Sequence, residues 1–275
     1  MKVGMLLSNS TPIARGRTAE IYRWDDDHIL KLYYAWCPPE WVEREARVVR
    51  AIVAAGIPAP AAGDIIERNG RRGIIYEHVA GPSMLDDMRR RPWRFLRYAH
   101  VLAALQARVH RLTVPGLHAC RDGLKHCIRR APNLPEPMRD RLLALLVTLP
   151  DRQALCHGDF HPGNVLISPE GPVVIDWMTA SLGSPWADVA RTSMLLTIGV
   201  KGAGQLVNPV IRLLSGLFHQ AYLSHYCALV PDGKAELARW LPLIAAARLD
   251  EQIEPERAAL LKMIMGGLRE TSPHL

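Results

Sequence analysis

The sequence has 275 residues, of which 49% are hydrophobic and 22% charged, a length and composition that suit a soluble enzyme of two lobes. No apolar run approaches the roughly 20 residues of a membrane span, and the N-terminal MKVGMLLSNS is too short in apolar residues for a secretory signal. The formal charge of +7 attracts anions, a nucleotide or a nucleic acid, while five scattered cysteines, odd in number, argue for a reducing compartment and against a disulfide framework.

The expectation is a cytoplasmic protein with no membrane partner. The first eighty residues read as short strands with one helix. Residues 19–24 and 28–33 form two strands joined at Asp25-Asp26-Asp27. A helix over 39–55 follows, with prolines at its start and Gly56 just past its end. Residues 64–68 and 73–78 read as a hairpin turned at Asn69-Gly70.

Beyond Gly81-Pro82 the pattern becomes mainly helical, with helices expected over 93–112, 136–149, 186–198, 205–223, 234–247 and 255–268. Two short β runs interrupt it, 165–168 and 172–175, around a turn at Glu170-Gly171. The expected fold is α+β, a small β-rich N-lobe over 1–80 and a larger, mainly α-helical C-lobe over 81–275. The basic patch Arg89, Arg90, Arg91, Arg94 and Arg97, interleaved with Trp93, Phe95 and Tyr98, carries no nucleic-acid motif and reads as a solvated face. His118, Cys120, His126 and Cys127 match no zinc spacing.

The chemistry concentrates in His157-Gly158-Asp159-Phe160-His161-Pro162-Gly163-Asn164 and in Val173-Val174-Ile175-Asp176-Trp177. An aspartate and an asparagine at this spacing, then an aspartate ending a β run, reproduce the catalytic-loop and metal-binding pattern of kinases. Phosphoryl transfer needs a carboxylate to orient the attacking hydroxyl and accept its proton, and hard oxygen ligands for Mg²⁺. Asp159 suits the first task, Asn164 and Asp176 the second.

HGDFHPGNVL followed by VVIDW resembles the aminoglycoside phosphotransferase and choline kinase-like superfamily, in which glycine replaces the arginine of the protein-kinase loop. The resemblance runs from about Ile13 to Arg191 and weakens over the last eighty or so residues. It implies the two-lobed protein-kinase-like fold, ATP or GTP with Mg as cofactors, and a small hydroxylated acceptor.

Lys31, on the same strand face as Ile29 and Tyr33, becomes the expected phosphate lysine once that loop is present. Its glutamate partner comes from Glu40, Glu43 and Glu45. Trp41, Val48, Val49 and Ile52 draw an apolar stripe in which Glu45 falls, and a lone glutamate there is costly unless paired. REARVVRAIVAAGIPAP resembles the family's corresponding helix, in agreement with Glu45. Ile13–Glu20 has one glycine and is no GxGxxG; Gly16 and Thr18 either approach the phosphates or form a plain turn. Ile74–Gly81 resembles the hinge, which implies adenine contacts at the backbone of Glu77 and Val79, although Glu77 also reads as an ordinary strand end.

Asp188 resembles a family aspartate that braces the catalytic loop. His157 reads as loop-organising; His161 stays open between substrate contact and loop shaping. Only nine residues separate Asp176 from Trp186, and no Ala-Pro-Glu follows, so there is no room for a peptide-docking activation segment. The acceptor is left open among aminoglycosides, other antibiotics, sugars, nucleosides and amino alcohols, as is the oligomeric state. Acidic residues Asp250, Glu251, Glu254 and Glu256 either line a local pocket or are solvated. A nucleotide-binding pseudokinase or regulatory scaffold is the alternative, though such proteins usually lose the lysine, the loop aspartate or a metal ligand, all present here.

Overall fold

A computed structural model describes residues 11–198, 209–231 and 233–270. In chain order the regular elements are β1 (Ala14–Arg15), β2 (Ala19–Arg23), β3 (His28–Tyr33), α1 (Pro39–Ala54), β4 (Ala62–Arg68), β5 (Arg71–Glu77), α2 (Met84–Arg90), α3 (Phe95–Val109), α4 (Cys120–Arg130) and α5 (Glu136–Thr148). They continue with β6 (Ala154–Cys156), β7 (Val165–Ser168), β8 (Gly171–Val174), β9 (Ser181–Gly183), α6 (Pro185–Thr197), α7 (Pro209–Leu229), α8 (Lys234–Leu249) and α9 (Arg257–Glu270). The chain divides into two compact units, Met1–Asp87 with Gly163–Ala180, and Met88–Pro162 with Ser181–Leu275.

In the first unit an antiparallel sheet runs in the order β1-β2-β3-β5-β4. β3 is buried along its last four residues, Leu30 to Tyr33, because it has β2 and β5 on its two edges and Glu45 of α1 against one face. Strand alternation sets Lys31 and Tyr33 on one face and Leu30 and Leu32 on the other. α1 begins with a proline at its first position and buries Val42, Glu45, Ala46, Val48, Val49 and Ile52. The stripe thus takes in Val42. Trp41, counted in it on periodicity, is 39% exposed and makes an edge contact with Trp36 at 6.4 Å.

Asn69 and Gly70 turn the β4–β5 hairpin, with Arg68 opposite Arg71 and φ values of 49° and 70°. Both central residues are left-handed, the twist-matched geometry of a two-residue hairpin turn. The β7–β8 hairpin belongs to the same unit. The Ile167 N–H donates to the Pro82 carbonyl at 2.9 Å, which draws the segment after β5 along β7.

The second unit is built around α6. Ser184 caps its N-terminus by accepting from the Trp186 N–H, Pro185 occupies the first turn, and ten of its residues are buried. α3 and α7 pack together, as do α8 with α6 and α9. β6 and β9 pair antiparallel beside α4. Among the described residues, no helix is long and apolar enough to cross a membrane.

Several elements had left no readable pattern. α4 buries only Leu124 and Ile128 within a highly charged sequence. β1, β6 and β9 have two or three residues each and α2 only seven, too short for periodicity to show. The helix expected over 205–223 is found as α7; residues 205–208 lie outside the described residues.

Gly81 has φ 134°, and a Cβ there would stand 2.2 Å from the Ile167 carbonyl oxygen. Gly56 also has positive φ, 77°, but a Cβ would meet nothing within 4 Å. Gly81→Ala should therefore cost about 3 kcal/mol or more in urea unfolding, against roughly 1 kcal/mol for Gly56→Ala. Equal losses would show that the approach of β7 does not constrain position 81.

Candidate active site

Lys31 is only 9% exposed, and a buried ammonium needs anionic partners. Its Nζ donates to Glu45 Oε1 and to Asp176 Oδ1, each at 2.8 Å. Burial alone would push the lysine pKa down; the two carboxylates outweigh it and hold the pKa above the ordinary value, so the charge is kept. Glu45 is the glutamate of α1 that turns inward. Glu43 pairs with Arg72 at the surface, and Glu40 is exposed.

Glu45 is 2% exposed and takes two further hydrogen bonds, from the Tyr33 hydroxyl to Oε2 at 2.5 Å and from the Tyr76 hydroxyl to Oε1 at 3.2 Å. Burial, reinforced by the Glu45 charge, pushes both phenol pKa values well up, so both hydroxyls remain donors. Sequence reasoning placed Tyr33 on the Lys31 face without seeing this bond, and it missed Tyr76. The only signal was a tyrosine on each strand flanking a buried charge.

Asp176 follows β8 with φ 64° and ψ 64°, a left-handed residue. Val165 pairs with Val174, and the Ile175 N–H donates to the Asn164 carbonyl at 3.0 Å. That register sets Asn164 beside the Ile175–Asp176 step. The Asp176 side chain keeps 42% exposure while bonded to Lys31. A carboxylate and a carboxamide at one hairpin end, on a cation's doorstep, are the hard oxygen donors that suit Mg²⁺. Lys31, Glu45, Asn164 and Asp176 thus lie in one unit, although up to 145 residues separate them in sequence.

The remaining expected nucleotide residues belong to the same unit. Gly16 closes the β1–β2 turn, donating to the Ala19 carbonyl at 2.9 Å. A Cβ on Gly16 would make only an ordinary contact, 3.5 Å from that oxygen. The Thr18 carbonyl accepts from the Tyr34 N–H at 2.9 Å. The Glu77 N–H donates to the Ala61 carbonyl at 3.0 Å, and Val79 lies in the irregular segment that follows β5.

Asp159 stands in the second unit, on the loop after β6. Its own N–H donates to His157 Nδ1 at 3.2 Å, and Oδ2 lies 3.5 Å from His161 Nε2. Burial would raise its pKa; the hydrogen bond and charge of His161 and the charge of Arg191 outweigh this and hold the carboxyl well below the usual range. His157 is fully buried against Phe160 in an edge-to-face contact. Asp188 on α6 accepts from the Gly158 N–H at 2.7 Å and the His157 N–H at 3.1 Å, so it grips the loop backbone directly before Asp159.

Gln106 of α3 and His110, the cap residue at its C-terminal end, reach Asp188 from the other side, and neither was singled out in the sequence. The available signal was a glutamine on the apolar face of α3 with a histidine four residues on. The acidic segment after α8 is committed to arginines. Glu251 pairs with Arg191 at 2.7 Å and Arg248 at 2.6 Å, Glu256 pairs with Arg248 at 2.8 Å, and Asp250 lies 3.4 Å from Arg130. Glu254 alone of the four is exposed, 3.9 Å from Arg257.

The sequence model described as "Phosphotransferase enzyme family" matches residues 10–237. The fold is similar to that of an aminoglycoside-3'-phosphotransferase of type VIII, at 21% identity and TM-score 0.59 over 88% of this chain and 91% of that one. An amicoumacin kinase in complex with AMP-PNP, Ca²⁺ and Ami gives TM-score 0.66 at 14% identity, covering 95% and 88% of the two chains. A choline/ethanolamine kinase family protein from Mesorhizobium loti gives 0.61 at 18% identity, covering 99% and 92%. These likenesses establish the two-lobed protein-kinase-like fold. Among curated proteins, Acyl-CoA dehydrogenase family member 10 of Mus musculus is 28% identical over 182 residues, 56% of this chain, which spans only 16% of that protein.

Two outcomes follow from the buried carboxylates. Glu45→Ala strips three donors of their acceptor and should cost roughly 3 kcal/mol in urea unfolding, while Glu43→Ala at the surface should change stability by about 0.5 kcal/mol or less. Similar costs for the two would contradict the buried-pair geometry. Asp188 has its pKa pulled to about 2 from an ordinary 3.8, because the hydrogen bonds it accepts from His110 and Gln106 outweigh burial. A depressed carboxyl pKa contributes stability that is complete above about pH 4 and lost as the pH falls toward 2. Asp188→Asn should flatten the fall in unfolding free energy across that window by on the order of 2 kcal/mol, and an unchanged slope would show that Asp188 is not the group titrating.

Proposed function

Since the chain belongs to the phosphotransferase enzyme family, we propose that it moves the γ-phosphoryl group of ATP, or of GTP, to a hydroxyl of a small molecule. The observation that carries this reading is the buried Lys31, held at 2.8 Å from both Glu45 and Asp176. A lysine that keeps its charge beside a half-exposed carboxylate and an asparagine combines a phosphate partner with metal ligands. Asn164 and Asp176 are the residues that would hold Mg²⁺. Bound Mg·ATP supplies the transferable phosphoryl group together with the metal that neutralises its charge.

The chain's own part is then positional and electrostatic. Glu45 fixes the Lys31 ammonium, and Tyr33 and Tyr76 fix Glu45. Asp159, ionised through the influence of His161 and Arg191, accepts the hydrogen bond of the acceptor hydroxyl, orients it, and takes its proton on a carboxylate oxygen as the phosphoryl group is accepted. A base held this far below the usual range gives most of its help by orientation. Gly16 and Thr18 of the β1–β2 turn and the backbone of Glu77 and Val79 complete the nucleotide's surroundings in this reading. Functionally, residues 1–80 serve the nucleotide, and residues 81–275 supply the catalytic loop, the metal ligands and the acceptor-binding helices.

That proteins of this fold are described as kinases of an aminoglycoside, of amicoumacin and of choline or ethanolamine supports a small hydroxylated acceptor. The cytoplasm, with its ATP, is the proposed location, and neither a nucleic acid nor a membrane is needed as partner.

The test is Mg²⁺-dependent ADP formation by the purified protein across aminoglycosides, other antibiotics, sugars and amino alcohols. Asp159→Ala should lower kcat by about 10²–10⁴-fold and leave the Kd for Mg·ATP unchanged. Asp176→Ala should weaken Mg·ATP binding itself. Full turnover in Asp159→Ala removes the base assigned here. Tight Mg·ATP binding with no turnover on any acceptor favours the nucleotide-binding scaffold instead.

A further inference from the structure

The Asp188 carboxylate is the meeting point of two polar rungs buried between α3 and α7. Gln106 lies in the last turn of α3 and His110 four residues on, at its αR C-cap; Tyr222 and Tyr226 lie four apart on α7, so each pair shares one helix face. In the first rung the Tyr222 hydroxyl donates to Gln106 Oε1, and Gln106 Nε2 donates to Asp188 Oδ2 at 2.9 Å and to Thr192 Oγ1 at 3.0 Å. In the second, the Tyr226 hydroxyl lies 2.6 Å from His110 Nδ1, and His110 Nε2 lies 3.1 Å from Asp188 Oδ2. All six side chains are buried.

The chemistry fixes the direction of each bond. An ionised carboxylate only accepts, so His110 carries a proton on Nε2 and Gln106 presents its amide nitrogen. With neutral imidazole, Nδ1 must then accept, and the Tyr226 hydroxyl is the donor that faces it. The Tyr222 hydroxyl likewise settles which end of the Gln106 amide is oxygen. Without the tyrosines, amide and ring are left with a buried unsatisfied acceptor each and a weaker reason to keep their donors on Asp188.

What Asp188 holds makes this matter. Its two oxygens take the His157 and Gly158 N–H groups, and Gly158, at φ 80°, turns the chain directly into Asp159. We propose that Gln106, His110, Tyr222 and Tyr226 are positioning residues for Asp159, acting through Asp188, so that α7 sets the geometry of the catalytic loop through the Tyr222–Gln106 and Tyr226–His110 bonds. Its kinetic arm rests on the phosphotransferase reading; its structural arm does not.

The experiment compares the wild type with Tyr226→Phe and with the double variant Tyr222→Phe/Tyr226→Phe, which keep the rings and remove only the hydroxyls. Amide hydrogen exchange is read in fragments spanning 156–160, in α3, α6 and α7, and in the β2–β3 strands. In parallel, kcat and KM for ATP are measured in Mg²⁺-dependent ATP hydrolysis, with water as the acceptor. The expected result is exchange of the 156–160 amides faster by roughly 5–10-fold, with the β2–β3 amides unchanged and a larger effect in the double variant. kcat should fall by about fivefold or more with KM for ATP unchanged, the split that a misplaced Asp159 produces.

Unchanged exchange in 156–160 overturns the proposal whatever the kinetics. An equal rise throughout α3, α6 and α7 also overturns it, since the hydroxyls then serve general packing. Faster loop exchange with an unchanged kcat removes the link to Asp159. A wild type that hydrolyses no ATP bears on the kinetic arm alone, and the exchange measurement still decides the brace. Should the double variant fail to fold, Tyr226→Phe decides on the same readouts.

Discussion

A carboxylate taken almost wholly out of water has to be met by donors, and the first unit is organised by how Glu45 is met. Desolvating one carboxylate costs several kcal/mol unless the geometry of its partners is good. Here the partners come from β3, which supplies Lys31 and Tyr33, and from β5, which supplies Tyr76. The demand locks α1 against the sheet in one rotation and one register. Lys31, once fixed, carries the constraint on to Asp176 at the end of the β7–β8 hairpin. In the proposed function stability and catalysis would draw on the same charges, since the pair that is costly to break also holds the cation assigned to the phosphates.

The second unit solves a parallel problem with a different centre. Asp188 is as deeply buried as Glu45, but its donors are backbone N–H groups of the catalytic loop together with Gln106 and His110. In both units a buried acid is the node, and a residue given a chemical task in the proposed function, Lys31 in one and Asp159 in the other, is placed by it. Hydrogen bonds to an ionised group are stronger and more directional than neutral ones, which suits them to fixing positions.

Much of this was legible in the sequence, for physical reasons that differ by residue. Asp159, Asn164 and Asp176 stand in a short local pattern whose spacing is dictated by a loop and a hairpin, so the sequence carries it directly. Glu45 was legible because a charge in an apolar helical stripe must find a partner, even though the stripe was drawn through Trp41 where Val42 occupies the interior. Tyr33 and Tyr76 were not, because an aromatic residue on a strand reads as core whether or not its hydroxyl has a task. The Gln106–Tyr222 and His110–Tyr226 rungs join helices more than a hundred residues apart, and no local pattern records which buried polar groups will meet. The acidic segment after α8 was legible as charge; its commitment to Arg191 and Arg248 is a tertiary property.

The central claim is that the Lys31–Glu45–Asp176 cluster is the binding site of Mg·ATP, and calorimetric titration of Mg·ATP into the wild type and Lys31→Met tests it most directly. The account predicts saturable binding that depends on Mg²⁺ and is weakened by about tenfold or more in Lys31→Met, the loss of a charge-assisted bond to phosphate. Equal affinity in a folded Lys31→Met protein, or no binding by the wild type, would contradict it.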